Sequence, residues 1–130
     1  MYLLDTNALI ILMFGDVTDA RLSDEAMDIL QNSDELCLCV VSLWEIAIKI
    51  KIGKLNIRNT IQDIAKKCNE EGITILPIKV SHMDKTMELP FDVNHKDPFD
   101  RLIVSTAISE DMVLISTDPK MKNYSVTVKD

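Results

Sequence analysis

Tyr2-Leu3-Leu4-Asp5-Thr6-Asn7-Ala8-Leu9-Ile10-Ile11-Leu12-Met13-Phe14 is the stretch from which the architecture of this chain unfolds. Tyr2 to Leu4 reads as a short buried strand. Thr6 to Phe14 reads as a helix that carries no charge. Asp5 stands between them, where a strand hands over to a helix. In an open parallel α/β sheet such handovers gather at one edge, and ligands bind there. A carboxylate pressed against so much apolar surface is costly without a partner.

Outward from that stretch the same alternation continues. Asp19 to Asn32 is expected to form an amphipathic helix with Leu22, Ala26, Ile29 and Leu30 on one face. Leu36 to Val41 is a continuous apolar run suited to a central parallel strand. Ser42 is expected to cap a helix reaching Lys51, with Gly53 ending it. Thr60 to Glu70 predicts another helix ending near Gly72, Ile73 to Ile78 a strand, Ser81 to Glu88 a short helix and Leu89 to Lys96 a loop. Asp97-Pro98 opens the next helix as an N-cap acid followed by proline, and its stripe Phe99, Leu102, Ile103, Thr106 and Ala107 packs inward. Met112 to Ser116 is a strand leading into Thr117-Asp118-Pro119, and Tyr124 to Val128 a final edge strand. The expected fold is α/β, a three-layer α/β/α sandwich with a mostly parallel central sheet, built as a single domain over residues 1–130.

The chain has 130 residues, an apolar content of 47% and a mean hydropathy of +0.09, which leaves apolar surface for self-association. The stretches Ala8 to Phe14 and Leu36 to Val41 are too short to span a bilayer, and Met-Tyr-Leu-Leu-Asp lacks the basic start of a signal peptide. A cytoplasmic protein with no membrane contact is expected. Cys37 and Cys39 lie two apart on a strand and share a face; with Cys68 they read as reduced core thiols. A zinc site using them with His82 and His95 lacks the second ligand pair at short spacing that structural zinc sites show.

The net charge of −7 is unevenly spread. Residues 1–45 carry one basic residue, Arg21, against nine acids, whereas residues 46–67 carry six basic residues against Asp63 alone. This basic island can hold a polyphosphate backbone beside an acidic pocket, since local potential governs docking more than total charge does. An ordinary solvated helix face explains the lysines as well.

Four acids fall at strand-to-helix handovers or in a helix's first turn: Asp5, Glu45, Asp100 and Asp118. Two unit charges about 4 Å apart repel by roughly 4 kcal/mol at an effective dielectric near 20, so four converging carboxylates call for a cation. Oxygen-only ligands select a hard divalent ion, Mg²⁺ or Mn²⁺, which most often works on phosphate esters. Each acid also has a plain structural use. Glu45 completes a capping box with Ser42, Asp97 and Asp118 precede prolines as N-caps, and Asp100 suits the positive end of a helix dipole. Asp100 nevertheless heads the inward stripe Ile103, Val104 and Ala107, where a solvent-facing acid is out of place. There is no Walker loop, no dinucleotide fingerprint and no Ser/His/Asp or Cys/His arrangement.

Asp5-Thr6-Asn7, Ser42-Leu43-Trp44-Glu45-Ile46-Ala47-Ile48-Lys49 with Gly53-Lys54-Leu55, His95-Lys96-Asp97-Pro98-Phe99-Asp100-Arg101-Leu102-Ile103, and Ser116-Thr117-Asp118 together resemble the PIN domain, and more narrowly the VapC-like toxins of type II toxin–antitoxin systems. The resemblance implies an endoribonuclease dependent on Mg²⁺ or Mn²⁺, in which a metal-activated water cleaves RNA. Asp5, Glu45, Asp100 and Asp118 match the family's acidic motif, and Asp97 is an additional acid behind them. Thr6, Asn7 and Thr117 stand as supporting residues, and Arg101 would steady the acids or meet a phosphate. Lys49, Lys51, Lys54 and Arg58 are candidates for holding the RNA backbone, and His95 is a candidate general acid. The resemblance further implies a homodimer and a cognate antitoxin protein that covers the acidic pocket. Two alternatives are a catalytically idle PIN-type module that binds RNA or protein, and a receiver-like phosphoacceptor domain. The second would require an acid paired with Asp5 and a phosphorylatable Asp after a central strand, where Ser42 stands.

Overall fold

In the computed structural model, which describes residues 1–91 and 96–130, five parallel strands form one sheet. They are β1 (Tyr2–Leu4), β2 (Leu36–Cys39), β3 (Thr74–Leu76), β4 (Val113–Ile115) and β5 (Val128–Lys129), in the order β3-β2-β1-β4-β5. The chain steps outward from β1 in one direction to β3, then returns to the other side of β1 for β4. The order therefore reverses beside β1, which places the end of that strand at the switch point where open α/β sheets bind ligands. A receiver-like domain has the flavodoxin-like order 2-1-3-4-5. This sheet does not.

Strand alternation assigns each residue to a layer. Leu4, Leu36, Leu38 and Ile115 join one core with residues of α1 (Thr6–Phe14), α2 (Asp24–Asn32), α3 (Val40–Lys51) and α4 (Ile61–Glu70). Leu3, Cys37, Cys39 and Leu114 join the other with Ile103, Val104 and Ala107 of α6 (Pro98–Ser109), together with Leu89 and Met121. Leu3, Leu4, Leu38, Leu114 and Ile115 are fully buried, as a sheet covered on both faces requires. Burying each such side chain contributes about 1.5–3 kcal/mol. The three cysteines are free and buried; burial pushes the Cys39 thiol up to about 11.

Several boundaries differ from the sequence expectation. The second helix begins at Asp24, because the Ser23 side chain accepts from the Ala26 amide and caps it there. β2 ends at Cys39, and α3 starts at Val40 with Cys39 as an N-cap that has no side-chain bond. Ser42 is thus inside the helix, and the Ser42–Glu45 capping box does not form. The last strand is Val128–Lys129, later than Tyr124 to Val128, after a 3-10 turn over Pro119–Asn123. By contrast Thr60 caps α4 with a full capping box to Asp63, and Gly53 and Gly72 end α3 and α4 in the left-handed region at φ 80° and 77°.

α5 (Val80–Glu88) lies against α6. Its first turn is held by buried His82, whose Nδ1 accepts from the Lys79 amide at 3.2 Å while Nε2 lies 2.8 Å from Oε1 of Glu110, just past α6. Lys79 Nζ reaches the same oxygen at 3.2 Å.

Candidate active site

Asp5 follows β1 and caps α1: its Oδ1 accepts from the Ala8 amide at 2.8 Å, and its own amide donates to the Ile115 carbonyl at the end of β4. The side chain is only 3% exposed. Burial pushes its carboxyl up to about 6, opposed by hydrogen bonds from Ser116 and the Ala8 amide and reinforced by the negative charges of Asp100 and Glu45. β1, α3 and α6 thus bring Glu45 and Asp100 within electrostatic reach of Asp5 at the switch point.

Glu45 is buried on α3. The Thr6 hydroxyl donates to its Oε1, leaving Thr6 lone pairs for Ser42 Oγ 3.0 Å away. Lys49, one turn on, stands 3.3 Å from Oε2. The helix that was expected to start at Ser42 instead carries Ser42, Glu45 and Lys49 along one row, at i, i+3 and i+7, so Glu45 is freed from capping and aimed inward. Asp100, half-buried, lies in the first turn of α6.

The remaining candidates divide. Asp118 caps the 3-10 turn by accepting from the Lys120 amide, and its own amide donates to Ser116 Oγ at 3.0 Å. Ser116, which is fully buried, therefore links Asp118 to Asp5, although the charges acting on Asp5 are those of Asp100 and Glu45. Asp97 is exposed and caps α6, accepting from the Phe99 and Asp100 amides. Asn7 is exposed and Thr117 half-buried. Arg101 turns away from the acids: its guanidinium donates to the carbonyls of Thr86 and Pro90 at 3.0 and 2.9 Å, closing the end of α5. Lys51, the last residue of α3, and Lys54 and Arg58 beyond it are exposed. His95 lies outside the described residues. Ser42 and Ser116 are site hydroxyls for which the sequence motifs signalled no part in orienting Thr6 or Asp5, although each stands at the head of the block that carries its acid.

In kind, this all-oxygen donor set fits a hard divalent cation, and the mutual repulsion felt by Asp5 is what such a cation relieves. In placement, no three His, Cys, Asp or Glu side chains among the described residues are grouped closely enough to hold a metal ion as they stand. Glu45 is engaged by Thr6 and Lys49, and Asp5 by Ala8 and Ser116. The zinc alternative finds no support in geometry, since His82 is committed to Lys79 and Glu110.

A family model described as PIN domain matches residues 2–126. Among solved structures, a chain in the crystal structure of VapBC2 from Rickettsia felis, bound to a DNA fragment from their promoter, matches with a TM-score of 0.70 at 16% identity, over 98% of this chain and 96% of that one. A chain of FitAcB from Neisseria gonorrhoeae matches with a TM-score of 0.61 at 16% identity, over 100% and 97%. At that identity the likeness shows the fold. No curated protein matches the chain.

Proposed function

The chain belongs to the PIN domain family, and from that premise we propose that it is a divalent-metal-dependent endoribonuclease, the toxin of a type II toxin–antitoxin pair. The observation that carries the reading is the like-charged set Asp5, Glu45 and Asp100 at the switch point, where burial and mutual repulsion raise the Asp5 carboxyl. Asp5, Glu45 and Asp100 would hold Mg²⁺ or Mn²⁺, with Asp118 beside them through Ser116 and Asp97 behind. A cation held there would supply an acidified water and neutralise charge on the phosphoryl oxygens. Thr6, Ser42 and Ser116 orient the carboxylates, and Asp100 accepts the proton. Lys49 meets the RNA backbone beside Glu45, with Lys51, Lys54 and Arg58 extending the positive track.

A cognate antitoxin that offers a basic side chain would satisfy the same carboxylates. Self-association is supported by α5, where Val80, Met83 and Met87 are exposed at i, i+3 and i+7, Met87 to 85%. α1, apolar throughout, is largely core. Among the described residues no helix is long and apolar enough to cross a membrane.

Incubation of structured RNAs with Mg²⁺ or Mn²⁺ tests the reading: cleavage should vanish in EDTA and in Asp5→Asn and Asp100→Asn, and persistence in either variant overturns it. The competing reading is the catalytically idle module. What favours it is that Glu45 and Asp5 already have internal partners, and RNA binding by wild-type protein with no cleavage in either Mg²⁺ or Mn²⁺ would establish it.

A further inference from the structure

We propose that the groove between α3 and α6 beside the acids is a stacking subsite that seats an unpaired nucleobase of the RNA strand. The inference rests on the nuclease reading and names which part of the substrate the protein grips. The groove, about 420 Å³, is lined by Val41, Trp44, Ile48, Pro98, Phe99 and Leu102, with no polar surface. Trp44 is 63% exposed although it is the chain's only tryptophan, and it meets Phe99 edge-on with centroids 5.4 Å apart and planes at 68°. A large flat ring left in water beside a second ring is a surface waiting for another flat apolar face.

Position identifies that face. On α3, Val41, Trp44 and Ile48 form a row at i, i+3 and i+7, running alongside the row of Ser42, Glu45 and Lys49. On α6, Phe99 immediately precedes Asp100. Each aromatic is thus the chain neighbour of a candidate ligand, and an apolar lane lies parallel to a charged lane. A nucleotide strand has the same two-lane build, with phosphates on one side and flat bases on the other. Proteins that hold single strands combine cationic contacts to phosphate with aromatic platforms for bases. The absence of polar groups in the groove means that no base edge is read there, so the subsite selects for an unpaired base without selecting which one.

Because Trp44 is the sole tryptophan, its emission reports the subsite directly. Asp5→Asn protein in Mg²⁺, and wild-type protein in EDTA, would be titrated with a short unstructured oligoribonucleotide and with an abasic ribose-phosphate chain of equal length, while anisotropy of a labelled RNA measures binding independently. Saturable quenching by the base-bearing strand alone is expected. Trp44→Leu, which keeps apolar surface but removes the flat ring, and Phe99→Leu should each weaken binding by about 10- to 100-fold, the range of one lost base–aromatic stack. Equal quenching by both strands, no RNA binding at all, or wild-type affinity in Trp44→Leu overturns the subsite. So does Trp44 emission that follows protein concentration and ignores RNA, which would mean that a second copy covers the groove. Base-dependent quenching without cleavage by wild-type protein would defeat the nuclease reading alone. Cleavage of unpaired RNA that Trp44→Leu and Phe99→Leu leave intact would defeat the subsite alone.

Discussion

Asp5 and His82 are both buried, and the polar groups around them are balanced in opposite ways. At the start of α5, His82, Glu110 and Lys79 answer one another: each ring nitrogen of His82 has a partner, and hydrogen bonds from His82 and then Lys79 hold the Glu110 carboxyl below its usual range. At the end of β1, the carboxylate of Asp5 is pushed upward by burial and by the charges of Asp100 and Glu45, and the ammonium of Lys49 stands close to Glu45. A satisfied cluster ties two helices together. A buried carboxylate raised by burial and by like charges is a standing cost even with its hydrogen bonds made, and it is found at the sheet edge where a ligand can remove it.

The sharpest break in that contrast is Asp5→Asn. Asparagine keeps an oxygen for the Ala8 amide but cannot ionise. A carboxyl raised from 3.8 to about 6 binds its proton more tightly in the folded state, so its contribution to stability falls as pH rises from about 4 to about 6 and the full penalty stands at neutral pH. Metal-free Asp5→Asn should therefore gain up to about 3 kcal/mol near pH 7, and urea titrations across pH should show a flatter decline than wild type. A metal-free variant less stable than wild type would remove the strain argument. His82→Ala should move the other way, losing about 2–4 kcal/mol through the vacated volume and the orphaned Lys79 amide. Its Glu110 carboxyl should return upward, so that less stability is lost as pH falls below about 4. Chemical denaturation at two pH values checks both. The smallest expected effect sets the scale. Asp111, exposed at the end of α6, is the one non-glycine residue with positive φ among the described residues, at 54°, and Asp111→Gly should raise stability by about 1 kcal/mol or less, read as a small rise in Tm.

Local chemistry made much of this fold legible. α1, with its run of apolar residues after Asp5, α4 with Thr60 and Asp63, and α6 with Asp97-Pro98 all lie where their caps and periods put them. The handover from β2 to α3 was hidden, because Leu36 to Val41 is apolar throughout and Val40 and Val41 favour strand by propensity; packing on both sides of the sheet overrides that preference two residues before the serine. Asp5, at its handover, and Asp100, in the first turn of α6, stand where their local sequence put them, whereas Glu45 lies a turn deeper in α3 than its expected capping position. The bonds that orient these acids were not legible. Thr6 to Ser42 and Glu45, and Ser116 to Asp5, join residues far apart in sequence, and Arg101 turns toward α5 because carbonyls at Thr86 and Pro90 are within its reach. No motif spacing encodes such a choice.

Because one oxygen of Asp5 is held by the Ala8 amide, the carboxylate cannot rotate without slackening the opening turn of α1. That amide is consequently a built-in gauge. Its NMR frequency and its exchange with deuterium should register protonation of Asp5, or occupation of its second oxygen, before any change reaches the rest of the molecule.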